Sequence, residues 1–136
     1  MKRVRFMIIA AVAAAGTILA TATAAQAGTS SPYVFTKSEV NGIPAGQGAF
    51  FHDGDRFWIE DTARDGRSAV LDVKVFAPRG TIHREWQLWN SRGFDYDLIE
   101  ATNVPEGYIV DVRACVGHAS DKSNFWGCGR WETGRA

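Results

Sequence analysis

Acid–base chemistry is open to few residues in this chain. His83 and Glu85 lie two positions apart, so on one strand they project from the same side, and the carboxylate could orient the imidazole as a general base. The same parity fits a solvated histidine beside a charge on a polar sheet face, and the strand period favours that plainer reading. Glycoside hydrolysis needs two carboxyl groups at a set separation across a cleft. Asp53, Asp55, Asp95, Asp97, Glu100 and Asp111 supply the groups but not the separation. No serine stands in a Gly-x-Ser-x-Gly elbow, and no catalytic residue is assigned.

Metal chemistry fares no better. Cys115, His118 and Cys128 could join a zinc site, but a structural zinc wants four ligands and the fourth would have to come from distant His52 or His83. Two acidic turns, His52-Asp53-Gly54-Asp55 and Asp61-Thr62-Ala63-Arg64-Asp65-Gly66, hold the materials of a calcium loop without the spaced oxygens of an EF-hand. Turn chemistry explains them more simply, because Asp caps its own backbone and Gly takes positive φ. No metal and no cofactor is assigned. The even pair Cys115 and Cys128 reads as a disulfide. Closing so short a loop is worth about 3 kcal/mol by chain entropy.

The aromatic residues invite a binding role. Five tryptophans are many for so small a chain. Strand parity sends Trp86 inward and Trp58 and Trp89 to the polar face, while Phe125, Trp126 and Trp131 surround Cys128. An exposed indole stacks on sugar faces or anchors a protein interface, since it buries a large apolar area at low entropy cost. Trp58, Trp89, Phe125, Trp126 and Trp131 are therefore the candidate ligand-binding residues. The competing reading is that these rings cover the ends of the fold or pack under loops.

The elements that must position them begin after residue 27. Residues 1–27 combine a basic start (Lys2, Arg3, Arg5), an apolar run from Phe6 to Ala20 and Ala25-Gln26-Ala27, the pattern of a secretory signal removed on export; cleavage after Ala24 also satisfies the small-residue rule. The run is short for a spanning helix, which needs about 20 apolar residues, so a released extracellular product without a membrane anchor is expected. All 15 acidic residues follow the signal, while three of the 15 basic ones leave with it. That balance, with both signs interspersed, argues against nucleic acid, whose binding depends on clustered Lys and Arg.

Residues 28–32 read as a flexible lead-in, and 33–136 as a single domain. Strands are expected at 33–37, 48–52, 56–61, 68–76, 82–90, 95–100 and 108–115. The clearest is 68–76, where Ala69, Leu71, Val73 and Val75 share one face and Asp72 and Lys74 the other. Asp65-Gly66, Pro78-Arg79-Gly80, Ser91-Arg92-Gly93 and Pro105-Glu106-Gly107 punctuate them as turns. No stretch after the signal sustains helical spacing. The expected fold is all-β, a small antiparallel β-sandwich of about seven strands with one disulfide; a small closed barrel is the alternative.

The run Gly54-Asp55-x-Phe57, residues 61–70 (DTARDGRSAV), Trp89-Asn90-x-x-Gly93 and Val104-Pro105-Glu106-Gly107, followed by Val112-x-Ala114-Cys115-x-Gly117, resembles small exported β-domain proteins of actinobacteria of the Streptomyces type. The resemblance implies an extracellular β-domain and carries no active site with it. The expectation is a secreted module stacking a carbohydrate or cell-wall ligand on exposed aromatics. A small secreted hydrolase and a protein-interaction or inhibitor module are the alternatives. They are separated by geometry: a coplanar pair of exposed indoles, a cleft with facing carboxylates, or a protruding apolar loop at 116–127.

Overall fold

The computed structural model describes residues 27–136; the export signal read at 1–27 lies, apart from Ala27, outside them. The described residues form strands β1 (Val34–Phe35), β2 (Glu39–Val40), β3 (Ile43–Pro44), β4 (Gly46–Phe51), β5 (Arg56–Asp61), β6 (Ser68–Phe76), β7 (Ile82–Asn90), β8 (Asp97–Ala101), β9 (Ile109–His118), β10 (Asp121–Trp126) and β11 (Glu132–Arg135). No helix occurs among the described residues. Every pairing among the described residues is antiparallel, and for the successive pairs β2–β3, β4–β5, β6–β7 and β9–β10 the short connections require it.

One sheet, here sheet I, runs β1-β4-β5-β8; the other, sheet II, runs β10-β9-β6-β7 with β11 also on β9, and β2-β3 is a separate hairpin. The two larger sheets face one another as a small β-sandwich. Period-two alternation decides which side chains enter between them. Phe50 on β4, Phe57 and Ile59 on β5, Leu71, Val73 and Val75 on β6, and Val110, Val112 and Ala114 on β9 fill the interior. Each large aliphatic or aromatic side chain buried there contributes roughly 1.5–3 kcal/mol. Trp86 points inward as its parity predicts, and its ring meets Phe57 edge-on at 4.9 Å.

Cys115 and Cys128 form a disulfide, and no cysteine is free. The zinc alternative is thereby removed, since both sulfur ligands are consumed.

Four departures from the sequence reading have physical causes. Residues 28–32 are hydrogen-bonded into the fold and are not a loose lead-in: Thr29 bridges Arg135, and Ser31 exchanges bonds with Phe50, its N–H donating to the Phe50 carbonyl and its Oγ accepting from the Phe50 N–H. Residues 41–46, expected to be only a connection, contain a tight hairpin turning at Asn41-Gly42, both at positive φ. β10 and β11 add strands beyond Cys115. Lastly, Val75 pairs with Arg84 but Phe76 with Ile82, so His83 is the extra residue of a β-bulge.

Candidate functional site

The outward side of sheet I carries an aromatic group. Trp58 on β5 alternates outward between buried Phe57 and Ile59, and its ring lies 5.8 Å from Tyr33 at 73°. Tyr33 also meets Phe51 edge-on at 6.5 Å, and Arg56 stands over Phe51 at 5.7 Å. Ile99, paired with Trp58, is 54% exposed, and Tyr33 is 58% exposed. Phe35 extends the apolar area. In the next row Gln47 donates to Glu60 at 2.6 Å, so hydrogen-bonding groups border the rings. The rings meet at a corner and are not coplanar.

The remaining candidate aromatics lie elsewhere. Trp89 on β7 faces outward from sheet II, the opposite side of the sandwich from Trp58. There it is half-buried, lies against Gly117 and meets Phe125 edge-on at 6.4 Å. Trp131, just before β11, packs on the same face against two cations, with the Arg113 guanidinium 4.4 Å and the Lys74 ammonium 5.1 Å from its ring. Arg113 is itself held by Asp72, which also accepts from Gln87 at 3.0 Å. Trp126 pairs with Val116 on the other side of sheet II, beside His118. The five residues named from sequence thus occupy three places, and Trp58 and Trp89 do not form a pair. The 116–127 segment is a hairpin whose tip, His118 to Asn124, is exposed and polar, unlike the apolar loop that a protein partner would favour.

The groups considered for acid–base work are dispersed. His83, displaced by the bulge, stacks edge-on against Tyr108 at 5.0 Å. Asp53 lies in the exposed turn after β4, Asp55 takes positive φ there and accepts from the Val104 N–H, and Asp111 accepts from Thr133. The second acidic turn behaves as turn chemistry dictates, Asp61 Oδ1 accepting from Ala63 N–H and Asp65 Oδ1 from Arg67 N–H.

That second turn also borders a cleft of about 470 Å³, within the roughly 300–1,000 Å³ typical of small-molecule sites. Asp61 lines it from the end of β5, where strand parity turns its side chain inward behind Phe57 and Ile59. It is 2% exposed, and its Oδ2 has no hydrogen-bond partner among the described residues. Burial pushes its carboxyl above the ordinary carboxylate range; the Ala63 N–H opposes this, Asp65 reinforces it and Arg67 opposes it. Arg67 is already paired with Asp65, whereas Arg64 lies over the Phe94 ring at 4.6 Å and makes no ion pair among the described residues. Ser68 and Ser91 add hydroxyls. Sequence reading placed Asp61 at the end of the 56–61 strand and at the start of an acidic turn weighed as a calcium loop, without giving its carboxyl a buried role. The available signal was its inward parity on β5, which puts a carboxyl where the strand otherwise supplies apolar side chains.

No family model, curated protein or solved structure matches this chain.

Proposed function

We propose that this chain is an exported, non-catalytic binding module that holds an extracellular glycan on the outward side of sheet I. The observation that carries the reading is the solvent-facing corner of Tyr33 and Trp58, extended by Phe51 and bordered by the Gln47–Glu60 pair. Apolar ring faces stack on the C–H faces of a sugar, and neighbouring amide and carboxylate groups satisfy its hydroxyls. Export is supported by the amino-terminal signal pattern and by the disulfide, which persists in oxidising compartments. No helix among the described residues is long and apolar enough to cross a membrane.

The test is retention of the oxidised protein on insoluble chitin, cellulose and peptidoglycan, beside Tyr33→Ala, Trp58→Ala and Trp131→Ala variants. The expected result is retention on at least one polymer, lost in the first two variants and kept in the third. Failure to bind any polymer, or equal retention by all three variants, refutes the reading and moves the search to protein partners.

A further inference from the structure

We infer that the free edge of β8 is a self-association surface, on which a second copy of this chain adds its own β8, antiparallel, about a two-fold axis at Ile99. This goes beyond the glycan reading and does not rest on it, because the pairing uses an edge of sheet I and needs no sugar.

The backbone pattern fixes which groups that edge presents. The Thr102 N–H donates to the Asp55 carbonyl, and the Asp61 N–H donates to the Tyr96 carbonyl. Hydrogen-bonded pairs recur at every second residue of an antiparallel ladder, so Leu98 and Glu100 also turn their backbone groups toward β5. Asp97, Ile99 and Ala101 turn theirs away from it. β8 pairs with β5 alone, and none of those three residues gains a backbone partner from elsewhere among the described residues.

An open edge is a template for another strand unless a bulge, a charge or a covering segment blocks it. The other edges are blocked. β1 is crossed by residues 127–129, β11 is bridged by Thr29, β10 shifts register and β7 is bulged at His83. β8 runs without a register shift, holds neither proline nor lysine, and carries Ile99 54% exposed at its centre. Glu100, its one charge of inward parity, accepts from the Thr102 hydroxyl of its own chain at 3.1 Å.

The outward rows of sheet I select the occupant. Across β5 and β8, Glu60 sits beside Asp97, Trp58 beside Ile99 and Arg56 beside Ala101. A two-fold at Ile99 sets Asp97 opposite Ala101 of the second copy. Beyond that alanine stands Arg56 of the second copy, two strand spacings or about 9–10 Å from Asp97 and within the reach of an arginine side chain. Arg56 is free to turn, since its ion pair with exposed Asp53 is long at 3.9 Å. Ile99 meets its own image, with a Trp58 on either side. Other registers lose this match. A two-fold at Asp97 or Glu100 sets like charges opposite each other, one at Leu98 sets Ile99 against Asp97, and one at Ala101 carries Ile99 past the end of the facing strand. The same patch serves both molecules, so the assembly closes at two copies.

The experiment is sedimentation equilibrium of the oxidised protein between about 1 µM and about 1 mM, where small interfaces assemble. The mass is expected to rise from one chain to two and no further. Ile99→Lys, at an exposed position, sets two ammonium groups opposite each other and is expected to weaken association about tenfold or more. Arg56→Glu and Asp97→Lys are each expected to weaken it, and the two together to restore it. Ile99→Cys reads the register, because the two-fold places its image at the roughly 5.5 Å Cα spacing of a hydrogen-bonded pair, inside the range of a disulfide. Mild oxidation is expected to link two Ile99→Cys chains and to leave Ala101→Cys chains, which face Asp97, unlinked. The assignment is overturned if the parent stays a single chain throughout, if Ile99→Lys associates as the parent does, or if Ala101→Cys links as readily as Ile99→Cys. Sedimentation uses no polymer, so its failure is recorded separately from failure of the glycan reading.

Discussion

The indole of Trp89 lies across Gly117, so close that a Cβ placed on the glycine would stand 2.6 Å from the ring. Trp89 is on β7 and Gly117 on β9, with β6 between them. The ring therefore reaches over Val70, which pairs with Trp89 and is fully buried although its parity points outward. Phe125 closes the far edge of this small outer cluster. An outward-facing tryptophan has here become a roof for part of its own sheet.

Gly117→Ala should accordingly displace the ring. The expected cost is about 1–3 kcal/mol, the usual range for overpacking a filled site, read as a lowered denaturation midpoint with a red shift of tryptophan emission as Trp89 moves into water. An unchanged midpoint and spectrum would mean that Trp89 is not anchored on Gly117.

Asp61 sets a pH dependence opposite to that of a paired carboxylate. Its folded-state pKa is raised above the ordinary value of 3.8, so the folded state holds the proton more tightly than the unfolded chain does. Its destabilising contribution is absent below the unfolded pKa, grows as pH rises through the window up to the folded pKa, and is complete above it. Asp61→Asn should match the parent near pH 3 and be the more stable at pH 7, by about 1 kcal/mol or more if the buried charge is the dominant penalty. Denaturant titrations at the two pH values decide it, and a stability difference independent of pH would reject the argument.

Arg113 connects Asp72 to Trp131. Asp72 has a side chain only 5% exposed, and Arg113 meets it at 2.9 Å. Arg113→Ala would strand that carboxylate with Gln87 as its only side-chain hydrogen-bond donor among the described residues. A loss of about 3 kcal/mol is expected. Gln87→Ala, which leaves the ion pair in place, should cost clearly less; equal losses would show that the Asp72–Arg113 pair has no special weight.

Replacing both Cys115 and Cys128 with alanine should lower stability by about 3 kcal/mol, the chain-entropy value for a loop of this length, with sheet content retained by circular dichroism. Unchanged stability would place the contribution of the bridge elsewhere than in restraint of the unfolded chain.

Much of the sandwich was legible because β5, β6, β7 and β9 alternate apolar and polar residues on a buried sheet face, a signal each strand carries by itself. β10 was not legible. Its Asp121-Lys122-Ser123-Asn124 run is exposed throughout, and β10 is tied to β9 at Asp121, Phe125 and Trp126 with the register shifting between the first two. The four residues of β11 likewise depend on a partner distant in sequence. For the sites, parity correctly separated Trp86 from Trp58 and Trp89 but could not say what covers an outward ring, since Gly117 and Phe125 come from other strands. The Asp61 cleft was missed although the alternation of β5 turns Asp61 to the same side as Phe57 and Ile59, because the turn chemistry of the following residues offered a sufficient account of the carboxyl.

The crossing of residues 127–129 over β1 bears on how the chain is assembled. Lys37 and Ser38 both donate their N–H groups to the Gly127 carbonyl, and at Gly129 the Phe35 carbonyl occupies the space a side chain would need. Thr29 and Arg135 close the same seam. β1 pairs with nearby β4, but its edge is completed only by residues 127–129, far along the sequence. Such long-range closure slows folding. The seam should be the last part of the molecule to form, and the Cys115–Cys128 bridge, which ties that same crossing to β9, is placed to act as a late latch on a fold whose central strands have already come together.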